Sequence, residues 1–378
     1  MKKRIMVVFG TRPEAIKMAP LVNELKKSKH LEPIVVVTAQ HREMLDQVLK
    51  AFNITPDYDL DVMRANQTLS HITSRVLERI ESIIKEESPD MVLVHGDTTT
   101  TFAAALAAFY QEVSVGHVEA GLRTYDKYAP YPEELNRQMT TRLSDLHFAP
   151  TTRAKNNLLA ENVGSDSIFV TGNTVIDALN TTVTSSYKSD VLDEYEGKRI
   201  ILLTAHRREN LGEPMKRIFQ AMKTIVNTHR DVVIIYPMHK NPKVRELASE
   251  YLNHERIQLI EPLEVLDFHN FAAKSEIILT DSGGIQEEAP SLNKPVLVLR
   301  DVTERPEGVE SGVLKLVGTD YNKIVNSTNN LLRDEKLYDK ISNVENPYGD
   351  GDASIRIVES ICYFYGLISK RPKDFKNN

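Results

Sequence analysis

Short runs of β-branched and aliphatic residues alternate along the chain with longer stretches whose apolar positions recur every three to four residues. The runs Ile5–Phe9, Ile34–Thr38, Met91–His95, Val113–Val118 and Ile168–Val170 read as strands, each beside a helical stretch. That rhythm predicts a parallel sheet wrapped by helices. From Thr181 to Lys198 the chain turns polar and rich in serine and threonine, and the rhythm then restarts at Ile200–Thr204, Val232–Tyr236, Gln258–Ile260, Ile277–Thr280 and Val296–Leu299. The pattern therefore predicts an α/β protein with one Rossmann-like domain over residues 1–180, a hinge over 181–198 and a second such domain over 199–353. A last periodic segment, 354–378, follows the turn-rich Asn346-Pro347-Tyr348-Gly349-Asp350-Gly351 and is expected to pack back on one half, the N-terminal one included.

Composition narrows the classes. A chain of 378 residues exceeds what one hydrophobic core serves, which agrees with two domains. Hydrophobic residues at 41% and charged ones at 26% describe an ordinary globular protein. The net charge of −6 is spread over both signs, which argues against a nucleic-acid groove or a polybasic membrane patch, so an anionic ligand has to be held by local positive groups. The single cysteine, Cys362, excludes a disulfide framework and a thiolate metal cluster. Only five apolar residues follow the basic N-terminus, too few for a signal segment or a spanning helix, and the cytoplasm is the expected location.

In open α/β sheets ligands sit beyond the carboxyl ends of the strands, and the chemistry-bearing residues cluster there. The first strand runs into Gly10-Thr11-Arg12-Pro13-Glu14, with Lys17 one turn further, a combination suited to holding an anion at a helix start. His95-Gly96-Asp97-Thr98 follows another strand, and Asp97 reads equally as a helix cap. His117-Val118-Glu119-Ala120-Gly121-Leu122-Arg123 and Tyr131-Pro132-Glu133-Glu134 add acids, of which Glu133 and Glu134 also suit a helix dipole. Acids on successive loops of one sheet raise one another's pKa and form acid/base pairs. In the second half, His206-Arg207-Arg208 follows a strand, and Asp281-Ser282-Gly283-Gly284 opens a helix whose backbone N–H groups suit a pyrophosphate. Glu288 lies one turn into that helix, placed for two ribose hydroxyls, and Arg305 follows the next strand as a further diphosphate candidate. No dinucleotide fingerprint, Walker loop or metal-ligand spacing is present, so no metal or cofactor is expected.

With those segments in place, the chain resembles, nearly end to end, the non-hydrolysing bacterial UDP-N-acetylglucosamine 2-epimerases, which have a GT-B-like architecture of two facing Rossmann-like domains with the active site in the cleft between them. The resemblance implies reversible inversion at C2 of UDP-GlcNAc to UDP-ManNAc, through elimination of UDP to a 2-acetamidoglucal and its re-addition, for cell-surface polysaccharide. It implies that Asp97, Glu119 and Glu133 exchange protons at C2, with their order left open, and that His206 assists the leaving group. It places Arg12, Lys17, Ser282, Gly283, Gly284 and Arg305 around the diphosphate, Glu288 on the ribose and Phe268 in the same binding set. Many members bind UDP-GlcNAc at a second, regulatory position, to which Gln40, His41, Glu43, Arg207 and His239 correspond; Glu43 and Asn66 depart from that family pattern. A homodimer is implied too. The alternatives are a GT-B glycosyltransferase, a hydrolysing epimerase and a catalytically inactive nucleotide-sugar sensor.

Overall fold

Ile5 to Phe9 are all buried within β1 (Lys3–Phe9), as a strand covered on both faces by helices requires. A computed structural model describes residues 2–38, 42–62 and 67–376, except for the side chains of 42 and 43. Around β1 lie β2 (Leu31–Val37), β3 (Tyr58–Asp59), β4 (Met91–His95), β5 (Ser114–Val118), β6 (Leu146–Ala149) and β7 (Ile168–Val170), in the order β3-β2-β1-β4-β5-β6-β7. Every pairing is parallel, with Met6 opposite Ile34 and Val92 on either side. A second sheet contains β8 (Arg199–Thr204), β9 (Val232–Pro237), β10 (Ile257–Ile260), β11 (Ile277–Thr280), β12 (Val296–Val298) and β13 (Leu314–Leu316), in the order β10-β9-β8-β11-β12-β13, again all parallel. The expected α/β class with two Rossmann-like sheets is thus observed. Three strands escape the hydrophobic pattern: β3 has two residues, β13 carries Lys315, and β6 is four residues with a histidine in its middle.

Strand order reverses between β1 and β4 in one sheet and between β8 and β11 in the other. At such a switch point adjacent loops leave in opposite directions and open a crevice at the strands' carboxyl ends. The loops that flank the two reversals are Gly10–Thr11, Gly96–Thr98, Ala205–Arg207 and Asp281–Ser282.

The chain forms two units, residues 1–181 with 349–378, and residues 182–348. The polar stretch after 181 is bonded into the second unit: Asn270 Nδ2 donates to Thr182 O at 2.7 Å, Thr184 N donates to Asn270 Oδ1 at 2.9 Å, and Tyr187 OH donates to Asp267 at 2.6 Å. It includes a short helix, Asp190–Glu194. The closing helix Ala353–Phe364 belongs to the first unit, where the Asp177 carboxylate accepts from Ala353 N at 3.1 Å and Ser354 N at 2.6 Å. Beyond it Tyr365 OH donates to Asp90 O at 2.7 Å and Phe375 N to Val170 O at 2.7 Å. Among the described residues no helix is long and apolar enough to cross a membrane.

The docking of the closing helix rests on buried apolar contact. Ile357 is 0% exposed, whereas Ile355 on the opposite face is 41% exposed. Ile357→Ala is expected to lower stability by about 2–5 kcal/mol through lost burial and a residual cavity, and Ile355→Ala by under about 0.5 kcal/mol. Urea denaturation followed by circular dichroism checks the pair.

Candidate functional site

In the first unit the site begins with a capping box. Thr11 caps the helix Arg12–Lys27, and the Glu14 carboxylate accepts from Gly10 N at 3.0 Å and Thr11 N at 2.7 Å. Its other oxygen accepts from Thr98 Oγ1 at 2.8 Å, which ties the loop after β1 to the loop after β4. Glu14 is buried; burial pushes its pKa up, and the bonds from Thr98 and Thr11 pull it back.

The backbone that carries Asp97 is fixed carbonyl by carbonyl. Thr101 Oγ1 donates to His95 O at 2.5 Å, His117 Nε2 to Gly96 O at 2.7 Å, and Asn136 Nδ2 to Asp97 O at 3.0 Å. Gly96 adopts φ +65, a left-handed turn that glycine enters without steric cost. Facing a carbonyl, His117 carries its proton on Nε2, and burial pushes its pKa down to about 3, so it is a neutral donor at pH 7. The helix cap is Thr98, which leaves the Asp97 carboxylate for other contacts. Arg137 Nη2 approaches that carboxylate at 3.2 Å. Burial pushes the Asp97 pKa up to about 6, Arg137 opposes it, and the charges of Glu119 and Glu133 add to the rise.

Glu119 follows β5 at φ +65, a region that a residue with a long side chain enters at a cost of about 1–3 kcal/mol. Its carboxylate is ion-paired with Lys17, accepts from Asn173 Nδ2 at 2.9 Å and lies 3.8 Å from His95 Nε2. Neither ring nitrogen of buried His95 has a hydrogen-bond partner among the described residues, and burial pushes its pKa down to about 4. Glu133 starts the helix Glu133–Leu143 and is partly exposed. Its neighbour Glu134 is fully buried and accepts from Thr124 N at 3.0 Å and Tyr125 N at 3.1 Å, a structural use that separates the two adjacent acids.

In the second unit Asp281 joins the two loops at the sheet's switch point. One carboxylate oxygen, Oδ2, accepts from His206 N at 2.8 Å, Arg207 N at 2.9 Å and Asn210 Nδ2 at 3.0 Å. The His206 ring stacks on His239 at 5.3 Å and 9°, and burial lowers its pKa while Asp281 partly restores it. Ser282 stands at the N-cap position of the short helix Gly283–Glu288 without a side-chain capping bond. A Cβ built on Gly283 would lie 3.5 Å from the Arg305 guanidinium carbon and 3.7 Å from Arg207 Nη2, so two planar cationic forks stand beside the helix start. Arg305 is braced there by Glu287 at 2.9 Å. Glu288 lies 3.2 Å from His269 Nε2, and His269 Nδ1 is 2.7 Å from Thr182 Oγ1. Phe268 packs at the edge of the His269 ring.

Asp97 therefore lies within electrostatic reach of Glu119 and Glu133 in the first unit, with Lys17 paired to Glu119 and Arg12 heading the adjacent helix, partly exposed. His206, Ser282, Gly283, Gly284, Glu288 and Arg305 line the switch point of the second, where Arg207, expected in the regulatory set, stands beside Gly283. His239 is exposed and stacked on His206. Gln40, His41 and Asn66 lie outside the described residues, as does the side chain of Glu43. Sequence reasoning passed over Glu14, His95, Asn136, Arg137, Asn173 and Asp281. Thr11 and Glu14 do carry the capping-box spacing, and Arg137 is one turn from Glu133; Asn173 has no local signal at all. Among the described residues no group of three or more histidine, cysteine or acidic side chains is placed to hold a metal.

Residues 23–362 match the family model described as UDP-N-acetylglucosamine 2-epimerase. The chain is 63% identical to the UDP-N-acetylglucosamine 2-epimerase of Bacillus subtilis over 99% of each protein. It is similar to the S. aureus MnaA–UDP co-structure at TM-score 0.87 and 61% identity, covering 99% of this chain and 100% of that one. The UDP-GlcNAc 2-epimerase of Neisseria meningitidis, solved bound to UDP-GlcNAc, matches at TM-score 0.84 and 50% identity over 95% of this chain and 100% of its own. Identity at this level along the whole length, on a shared fold, places the chain in the family of non-hydrolysing bacterial UDP-N-acetylglucosamine 2-epimerases.

Proposed function

We propose that the protein interconverts UDP-GlcNAc and UDP-ManNAc by eliminating UDP to a 2-acetamidoglucal and adding it back. The carrying observation is the acid cluster, in which the Asp97 carboxyl is held near pH 6 between Arg137, Glu119 and Glu133. C2 of the sugar bears no carbonyl, so its proton becomes removable only as the anomeric C–O bond breaks and positive charge develops on the ring. In the first half-reaction a carboxylate takes the C2 proton, the C2–H electron pair forms the C1–C2 double bond, and the C1–O pair leaves on UDP. In the second, a protonated carboxyl returns a proton to the opposite face of C2, and the UDP oxygen attacks C1. Inversion thus needs one ionised and one protonated acid on opposite faces, and carboxyls whose pKa values are driven apart supply that.

Glu119 is paired with Lys17 and accepts from Asn173, whereas Asp97 is the group whose proton is available near neutrality. The departing diphosphate meets the cations Arg207 and Arg305 beside the Ser282–Gly283 helix start, assisted by His206. Glu288, oriented by His269, suits the ribose hydroxyls. The product supplies ManNAc units for cell-surface polysaccharide, and the enzyme works in the cytoplasm as a homodimer.

UDP-GlcNAc incubated with the protein in heavy water is expected to gain deuterium at C2 and to yield UDP-ManNAc, read by NMR and chromatography; product without solvent deuterium overturns the elimination route. Asp97→Asn is expected to abolish epimerisation while UDP affinity stays within about tenfold of wild type, since only transition-state chemistry is removed. The profile of kcat/KM against pH is expected to carry an ionisation near 6. Because Arg137 lowers the Asp97 pKa, Arg137→Gln moves that ionisation upward; an unmoved profile detaches it from Asp97.

A further inference from the structure

Asp281 is wholly buried at the end of β11, and its two oxygens have different surroundings. Oδ2 takes two backbone N–H groups from the loop after β8, those of His206 and Arg207, together with Asn210 Nδ2. Oδ1 is buried and accepts no hydrogen bond from the described residues, and His206 Nδ1 lies 3.3 Å from it. A buried carboxylate oxygen without a donor is costly, and a slight rotation of the imidazole supplies the missing one. The ring is also stacked on His239. Asp281 accordingly does more than brace the loop.

We propose that Asp281 is the positioning residue of His206: Oδ2 holds the loop backbone, Oδ1 receives Nδ1–H, and the Nε2 edge is thereby aimed away from the core. In a neutral imidazole the hydrogen bond made by one nitrogen decides which nitrogen carries the proton. With Nδ1–H directed at a carboxylate, Nε2 becomes the nitrogen available to the ligand. When His206 gains a second proton beside an incoming diphosphate, the same carboxylate sits opposite the new charge and stabilises it. This arrangement rests on the role given above to His206 at the leaving group, but the tautomer itself does not depend on which reaction the protein performs.

The test reads the tautomer directly. Protein labelled with 15N in its histidine rings, with His206 assigned by comparison with His206→Asn, is expected to show the Nδ1–H form of neutral His206 at high pH. In Asp281→Asn the amide can still accept the loop N–H groups through its oxygen, while its NH2 faces Nδ1, so the ring is expected to switch to the Nε2–H form. The same variant is expected to lose at least about tenfold in kcat with KM within about threefold, the signature of an interaction made mainly in the transition state. Observation of the Nε2–H form in the wild type overturns the proposal, as does an unchanged tautomer in the variant. The wild-type spectrum decides the matter even where Asp281→Asn fails to fold. A wild-type Nδ1–H form in a protein that does not epimerise UDP-GlcNAc leaves the Asp281–His206 pairing intact and removes the functional reading instead.

Discussion

Acidic side chains crowded at the carboxyl ends of β1, β4 and β5, buried or partly buried, form the constraint on which the first unit depends. Glu14, Asp97, Glu119 and Glu133 occupy this region, with Lys17 and Arg137 as compensating cations. A carboxylate in such a place either loses its charge or is held by donors. Glu14 is held by backbone and hydroxyl donors and serves the architecture. Glu119 is held by Lys17 and Asn173, at the cost of a left-handed backbone. Asp97 is opposed in its rise by Arg137 and, more weakly, by Lys17, and for it burial and the neighbouring acids prevail. A rise from the ordinary 3.8 to about 6 corresponds to roughly 3 kcal/mol in favour of the protonated form.

That balance works only with the carboxyl accurately placed, and the placement comes from the backbone. Three successive carbonyls, those of His95, Gly96 and Asp97, are each occupied by a side chain from a different element. Two of those donors, His117 and Asn136, come from β5 and from the helix that Glu133 begins. The elements that carry the other acids therefore also fix the loop of this one, and the cluster forms as a unit. The second unit repeats the device with a different residue, where Asp281 joins the loop after β8 to β11 across the switch point. In both sheets the reversal of strand order creates the crevice, and a buried carboxylate ties together the loops that border it.

Much of this is legible in the amino-acid sequence, for a physical reason. Strands buried on both faces are continuous apolar runs, and functional loops follow them directly, so Asp97, Glu119, His206 and Ser282 are found by reading what comes next. β6 is missed because a buried histidine, His147, interrupts its apolar run, and β3 because two residues are no pattern. The distinction between Glu133 and Glu134 is likewise invisible, since adjacent glutamates on one helix differ only in which way the structure turns them. Asn173 illustrates the remainder: it reaches Glu119 from 54 positions away, a tertiary contact without a local signature. Asp281 was visible as part of a glycine-rich turn, but its hold on His206 and Arg207 comes only from parallel pairing of β8 with β11.

The site depends on Asp97, whose charge state is set by burial and the acids Glu119 and Glu133 against Arg137 and Lys17. Titration of the Asp97 carboxyl in the unliganded protein, followed by carbon NMR with Asp97→Asn to assign the resonance, measures it directly. A midpoint near pH 6 is the predicted result; a midpoint at or below the ordinary aspartate value of about 3.9 contradicts the account, because Asp97 would then hold no proton to exchange at neutral pH.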